Sequence, residues 1–342
     1  MDLKLKVSKD SGRPIYMQVA ACIEESIRNK ELKKGDLLPS LNELATKAGI
    51  GRDTANKAYS LLLKNRLIDA RHGKGFFVSD RSESRLKVLL IIDKMSSHQQ
   101  RMINAFTKSL GDEAEVTLLM HNQDLDLLET YINSNLGSFD YYVIVPHFKA
   151  DKGVQQRLVS ALKRIPEKKL VLMDHIPNGF TGNFGAVYQD IGADIPKALS
   201  QGRDVLTRYN KMRVVRMSPG IYQDITWSAV KSYCDSIGLD SVMDRDIPKE
   251  IAPGDVFLLT GSRLDFTLVE LSRRIMDRGL ELGRDVGLIC QNDFVINEIV
   301  LGGLTTISSD YAKIGSDAAA MILTGELKRI HCECSLVRRR TF

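Results

Sequence analysis

Arg52, Asp53, Asn56 and Lys57 crowd into six residues and fall on the helical faces left free by the apolar Ala55, Ala58, Tyr59, Leu62 and Leu63. Arginine and asparagine read base edges through paired hydrogen bonds, and lysine meets phosphates. These side chains sit near the start of a helix predicted over Gly51 to Lys64, the end that faces base edges when such a helix enters a major groove. Arg52 is the leading candidate for a base contact. Downstream, His72-Gly73-Lys74-Gly75 makes a basic, glycine-rich turn suited to lie on phosphates or enter a minor groove.

A second polar set follows the apolar runs of the later sequence. It comprises Asp93 to His98, Pro146-His147, Asp174-His175, Gln189-Asp190, Ser218 to Tyr222, Gly261 to Asp265 and Gln291-Asn292-Asp293. The set is rich in hydrogen-bonding groups and poor in any one reactive type. That composition suits a polyhydroxylated ligand, whose hydroxyls need donors and acceptors once removed from water.

The elements that must carry the first set are legible. Ser40 follows Pro39 and precedes Leu41, Leu44, Ala45 and Ala48, so its hydroxyl can cap a short amphipathic helix that Gly49 ends. Leu67 to Arg71 and Phe76 to Val78 read as two short strands joined by the glycine turn. Two helices, a tight turn and a basic hairpin outline a winged helix-turn-helix.

From Val88 the pattern changes to buried strands alternating with helices. Apolar runs at 88–92, 141–145, 170–173, 214–215, 256–259 and 286–289 alternate with helical spacing at 99–110, up to 161, around 195–209, at 227–236 and at 268–278. Such alternation predicts parallel sheets in a doubly wound α/β architecture, with ligands beyond the carboxyl ends of the strands. The expected division is a reader at 1–78, a polar linker at 79–85 and a two-lobed ligand-binding domain at 86–342.

Charge and cysteines agree with this division. Residues 1–85 carry 17 Lys and Arg against 11 Asp and Glu, whereas the whole 342-residue chain has a net charge of +5, so the positive excess lies where a polyanion would be met. Five scattered cysteines, Cys22, Cys234, Cys290, Cys332 and Cys334, give neither a disulfide framework nor metal-ligand spacing. No apolar run is long enough for a membrane span, and the first residues lack a signal-peptide core, so a cytoplasmic protein without membrane association is expected. P-loop, GxGxxG, G-x-S-x-G and H-E-x-x-H patterns are missing, which speaks against an enzyme, and no cofactor is implied.

Residues 11–79 resemble the DNA-binding domain of the GntR family of bacterial transcription regulators. The resemblance rests on Leu38-Pro39-Ser40, Leu44-Ala45, Gly49-Ile50, Arg52, Thr54 and Gly73-Lys74-Gly75-Phe76-Phe77-Val78, preceded by Pro14-Ile15-Tyr16-Met17-Gln18. Asn42 replaces the family's arginine, keeping hydrogen bonding without the charge. Taken together, the candidate DNA contacts are Ser40, Asn42, Arg52, Asp53, Thr54, Asn56, Lys57, His72, Gly73 and Lys74.

Residues 86–342 resemble the effector domain of LacI/GalR-type repressors, itself similar to periplasmic sugar-binding proteins. The matching segments are Val171 to His175, Arg278-Gly279 with Arg284 to Ile289, Leu304 to Ile307 with Asp310 and Gly315, and Leu336 to Thr341. The resemblance implies a ligand-contacting carboxylate at Asp174, with Asn292 and Asp265 at further contact positions. It also finds no arginine where relatives often grip a sugar hydroxyl, and Leu264 where an asparagine is usual. With Ser97, His98, His147, His175 and Tyr222 from the strand-end set, and Trp227 as either a sugar-stacking ring or a core residue, these form the candidate ligand site.

The combined expectation is a homodimeric repressor that binds a double-stranded DNA operator and releases it on meeting a monosaccharide, arabinose- or fucose-like as a first guess. A non-sugar metabolite such as a nucleoside or amino acid, or an activating rather than repressing role, is the alternative.

Overall fold

The reader's geometry begins with its caps. In the computed structural model, which describes residues 5, 7, 8, 12–65, 67–71, 73–79, 85–149, 151–216, 222–260 and 264–342, the backbone alone is described at 223, 264 and 265. Two compact units emerge, Met1–Leu86 and Lys87–Phe342.

In the first unit, α1 (Ile15–Arg28) buries Val19, Ala20, Ile23 and Ile27 along one face. Helix α2 (Leu41–Ala48) starts with a reciprocal cap: the Ser40 hydroxyl accepts from the Glu43 amide at 3.3 Å, and the Glu43 carboxylate accepts from the Ser40 amide at 2.7 Å. Gly49 ends it at φ 63°, a left-handed conformation that glycine adopts without strain. Helix α3 (Arg52–Lys64) begins one residue later than the sequence spacing predicts, with Gly51 as its cap. Tyr59 fastens α3 to the segment before α2, its hydroxyl donating to the Pro39 carbonyl at 2.7 Å and its ring meeting Phe76 edge-on at 4.6 Å.

Strands β1 (Ile68–Arg71) and β2 (Gly75–Val78) form the antiparallel wing, with Ile68 opposite Val78 and Arg71 opposite Gly75. Backbone bonds from Leu38 to Phe76 and from Val78 to Asp36 tie the wing to the approach to α2. Ser79, placed by sequence in the linker, is buried and its amide donates to Leu67.

The second unit runs β3 (Leu86–Ile92), α4 (Ser97–Leu110), β4 (Ala114–Met120), α5 (Leu125–Asn135), β5 (Tyr141–Ile144), α6 (Lys152–Leu162), β6 (Leu170–Asp174) and β7 (Gly185–Tyr188). It continues with α7 (Ile191–Ser200), α8 (Arg203–Leu206), β8 (Lys211–Arg216), α9 (Gln223–Ile237), β9 (Asp240–Asp244), β10 (Asp255–Thr260), α10 (Leu264–Asp277) and β11 (Gly287–Gln291). It closes with β12 (Thr305–Ser308), α11 (Tyr311–Thr324), β13 (Arg329–His331) and β14 (Ser335–Val337).

Two six-stranded sheets result, ordered β13-β7-β6-β5-β3-β4 and β14-β12-β11-β10-β8-β9. The inner pairings are parallel, and β14 runs antiparallel to β12 at an edge. Leu89, Ile91, Tyr142, Ile144 and Leu172 pack the first lobe, while Met212, Val214, Val256, Leu258 and Ile289 pack the second. The chain passes between lobes three times: after β7, after β12 and after β13. Helix α11 returns from the second sheet to lie on α4, and the approach is so close that a Cβ at Gly315 would stand 2.1 Å from the Met102 carbonyl oxygen.

The strand-helix alternation expected from sequence is present, with one correction. The single helix expected over 195–209 is two, broken between Ser200 and Arg203. At Gly202 a Cβ would sit 2.7 Å from Leu336 and Phe342, so the end of the chain packs into the break.

Candidate functional site

Arg52, Asp53, Asn56 and Lys57 are exposed along the first turns of α3, over the buried row of Ala55, Ala58, Tyr59 and Leu62. Thr54 is half-buried between them, and Asn42 is exposed on α2. Ser40 spends its hydroxyl on the α2 cap, which orients the helix pair. Gly73, at φ 72°, and Gly75, at φ 95°, let the wing turn tightly and leave Lys74 exposed at its tip. His72 lies outside the described residues.

The second candidate site forms where the strands of both lobes end. Asp93 follows β3, His147 follows β5 and Asp174 closes β6. These three residues, far apart in the chain, form one ion cluster: His147 Nε2 stands 2.7 Å from Asp174 Oδ2, and His147 Nδ1 stands 3.3 Å from Asp93 Oδ2. Burial opposes the charge on His147, but the two carboxylates overcome it and hold the imidazole up at about 10. Burial likewise opposes ionisation of the carboxyls, and His147 prevails there too, drawing Asp174 below its ordinary value and Asp93 down to about 2.

Neutral rings surround this cluster. Burial, seconded by the charge on His147, pushes His175 down to about 4, and burial also depresses His98. Tyr222, which caps α9 in the second lobe, places its ring 5.3 Å from His147 and 4.9 Å from His175. His98 stands 4.9 Å from Tyr311 of α11 and shares a hydrogen bond with Ser96, while Ser97 is exposed. The Tyr311 hydroxyl donates to Asn292 Oδ1 at 3.0 Å. Burial holds both phenols well above 10, so each remains a hydrogen-bond donor.

Asp174 at φ 74° and Asn292 at φ 71° both adopt the left-handed backbone region, where non-glycine residues are uncommon and often mark binding sites. Both stand at strand ends in the cluster just described. Trp227 packs on the core of the second lobe, one turn into α9, and the Asp265 side chain lies outside the described ones.

Sequence reasoning passed over three participants, Gln99, Ser309 and Tyr311, and noted Asp93 only as a strand-end residue. Gln99 donates to Asp93, and Gln189 donates to Asp174. The Ser309 hydroxyl donates to Gln189 Oε1 at 2.8 Å and lies 3.0 Å from Cys334 Sγ. Position after an apolar run flagged Asp93 and Gln189 as strand-end residues, but nothing local distinguishes Ser309 or Tyr311 from ordinary helix-start residues. Among the described residues no group of histidine, cysteine and carboxylate side chains is arranged to hold a metal ion, and no helix is long and apolar enough to cross a membrane.

Residues 15–78 match the family of bacterial regulatory proteins called gntR. Over 103 residues the chain is 30% identical to the uncharacterized HTH-type transcriptional regulator YhcF of Bacillus subtilis (strain 168), a stretch covering 30% of this chain and 79% of YhcF. The chain belongs to the gntR family. As a gntR-family protein it is a DNA-binding transcription regulator, and the α2–α3 pair with its wing is the family's reader.

Beyond the reader, the gntR-family chain has the fold of LacI-type repressors. It superposes on the trehalose repressor from Escherichia coli with a TM-score of 0.57 at 15% identity, over 74% of this chain and 100% of that one. The dimeric Lac repressor gives 0.59 at 13% identity, over 75% and 98%. At such identities the likeness is one of fold alone.

Proposed function

We propose that this gntR-family regulator is a cytoplasmic, homodimeric repressor of a carbohydrate-utilisation operon. Its second unit binds a monosaccharide between the lobes, and its reader then releases a double-stranded operator. The observation that carries this reading is the meeting of polar side chains from both lobes: His147, Asp174 and His175 from one, Tyr222 and Asn292 from the other. A ligand held there touches both lobes at once and so biases their closure.

The reader supports the DNA half of the proposal. Arg52, Asn56 and Lys57 are exposed at the helix end that enters a groove, and Lys74 sits on the wing. One reader per chain makes a two-fold pair on paired half-sites the economical arrangement. The dimer form of the Lac repressor supports the same assembly. The site's chemistry is binding rather than catalysis, since His147 is engaged by carboxylates on both ring nitrogens.

The test is a mobility shift with the DNA upstream of the protein's own coding frame at low ionic strength, repeated with a panel of monosaccharides. Retarded DNA released by one sugar is the expected result. A protein that retards none of that DNA, or retards it regardless of every sugar, overturns the proposal.

A further inference from the structure

We propose that the interlobe cleft selects an uncharged or amine-bearing ligand and rejects the same molecule once it carries a phosphate or carboxylate; this deepens the effector-binding reading above and rests on it. His147 sets the charge of the site. Each of its ring nitrogens faces a carboxylate oxygen, at 2.7 Å from Asp174 and 3.3 Å from Asp93. A neutral imidazole donates from one nitrogen only, so two donating nitrogens require the imidazolium. One positive charge between two carboxylates leaves the cluster with a single net negative charge.

That charge is poorly screened. Asp93 is 1% exposed and Asp174 4% exposed, so the charge is surrounded by protein rather than water and its field reaches the space between the lobes with little screening. An entering anion meets repulsion at short range. An ammonium meets attraction, and a hydroxyl meets none of that repulsion.

One orphaned polar atom points the same way, and a second, a hydroxyl able to donate and accept, is equally satisfied by a ligand hydroxyl. Gln99 gives its amide nitrogen to Asp93, and its Oε1 is buried with no hydrogen-bond partner among the described residues. The Tyr222 hydroxyl is buried and unpartnered in the same sense, on a ring held against His147 and His175. An amide oxygen only accepts, so the partner Gln99 lacks is a donor. Hydroxyls and amines donate, whereas an ionised phosphate or carboxylate offers acceptors alone. Leaving buried polar atoms unpaired is costly, so the complement that fits supplies donors and no negative charge.

The experiment uses the full chain and matched pairs of compounds that differ by one anionic group. The pairs are monosaccharides with their 6-phosphates and uronic acids, and nucleosides with their 5′-monophosphates, titrated by calorimetry and scored for release of the upstream DNA. The expected result is that the uncharged member of the binding pair wins by about tenfold or more, the scale of one lost or repelled charged contact. In D93N the net charge of the cluster is removed, and the preference narrows. In Y222F the uncharged ligand weakens by about tenfold with the preference unchanged.

A phosphate or acid that binds as tightly as its parent overturns the inference while leaving the sugar reading intact. A nucleoside that beats its monophosphate overturns the sugar reading while supporting the inference. A chain that no uncharged member of any pair stabilises overturns the inference as well.

Discussion

The reader and the cleft are built by opposite strategies. In the reader, every feature that aims Arg52 lies within a short stretch of chain: the Ser40 cap, the Gly49 stop, the Tyr59 hydroxyl on Pro39 and the wing folded back by Gly73 and Gly75. In the cleft, Asp93 and His147 are 54 residues apart, and the Gln189 to Ser309 bond spans 120. Local hydrogen bonds make a rigid module that tolerates little variation in sequence pattern. Long-range ones make a site whose members are set by topology and not by local pattern.

The contrast is broken most severely at Asp174. Replacing it with alanine takes the acceptor from one ring nitrogen of a buried imidazolium and leaves Asp93 as its remaining carboxylate, so the second unit is expected to lose about 3 kcal/mol. Calorimetric unfolding monitored on the full chain tests this: the second unit's transition drops while DNA retardation at low temperature persists without sugar response. A variant that still releases DNA on sugar addition removes Asp174 from the ligand site.

A smaller effect is expected at the reader. Arg52→Ala should weaken operator binding by roughly 1–3 kcal/mol and relax preference at one base pair, as read by retardation of a substituted operator series. Uniform weakening across the series would move Arg52 from base to phosphate contact. Smaller again, Ser40→Ala removes one side of a reciprocal cap and should cost about 1 kcal/mol of reader stability, with the ligand affinity of the second unit untouched.

The gentlest test is a slope with pH. His147 is raised in the folded chain to about 10 from an ordinary 6.5, so its contribution is complete below 6.5 and lost as pH climbs through 10. Asp93, drawn down to about 2 from 3.8, contributes fully above 3.8 and loses this as pH falls through 2. His175, depressed to about 4, works against stability as pH falls from 6.5 towards 4. The melting difference between the native chain and His147→Gln should therefore shrink steadily from pH 6.5 to 10. A flat difference would mean that His147 is neutral in the folded chain.

The same contrast explains what could be read before the fold was known. Ser40, Gly49, Arg52 and the Gly73-Lys74-Gly75 turn declare themselves because capping and left-handed turns are properties of a few adjacent residues. The buried strands β3, β5, β6 and β10 declare themselves as unbroken apolar runs. Strand β4 does not: it lies at a sheet edge with Leu118 and Met120 exposed, so its pattern is neither continuous nor cleanly alternating. Asp174 and His147 were legible as strand-end polar residues, yet their pairing was not, because the parallel order of β3, β5 and β6 decides it.

The amide of Gln189 touches two things at once. Its nitrogen serves Asp174, and its oxygen shares the single hydroxyl proton of Ser309 with the Cys332 carbonyl, so residues from all three passages between the lobes meet in one short chain of contacts. A ligand bound at Asp174, as proposed above, would compete for the very side chain that joins those passages, one bond away from where the chain crosses between the lobes.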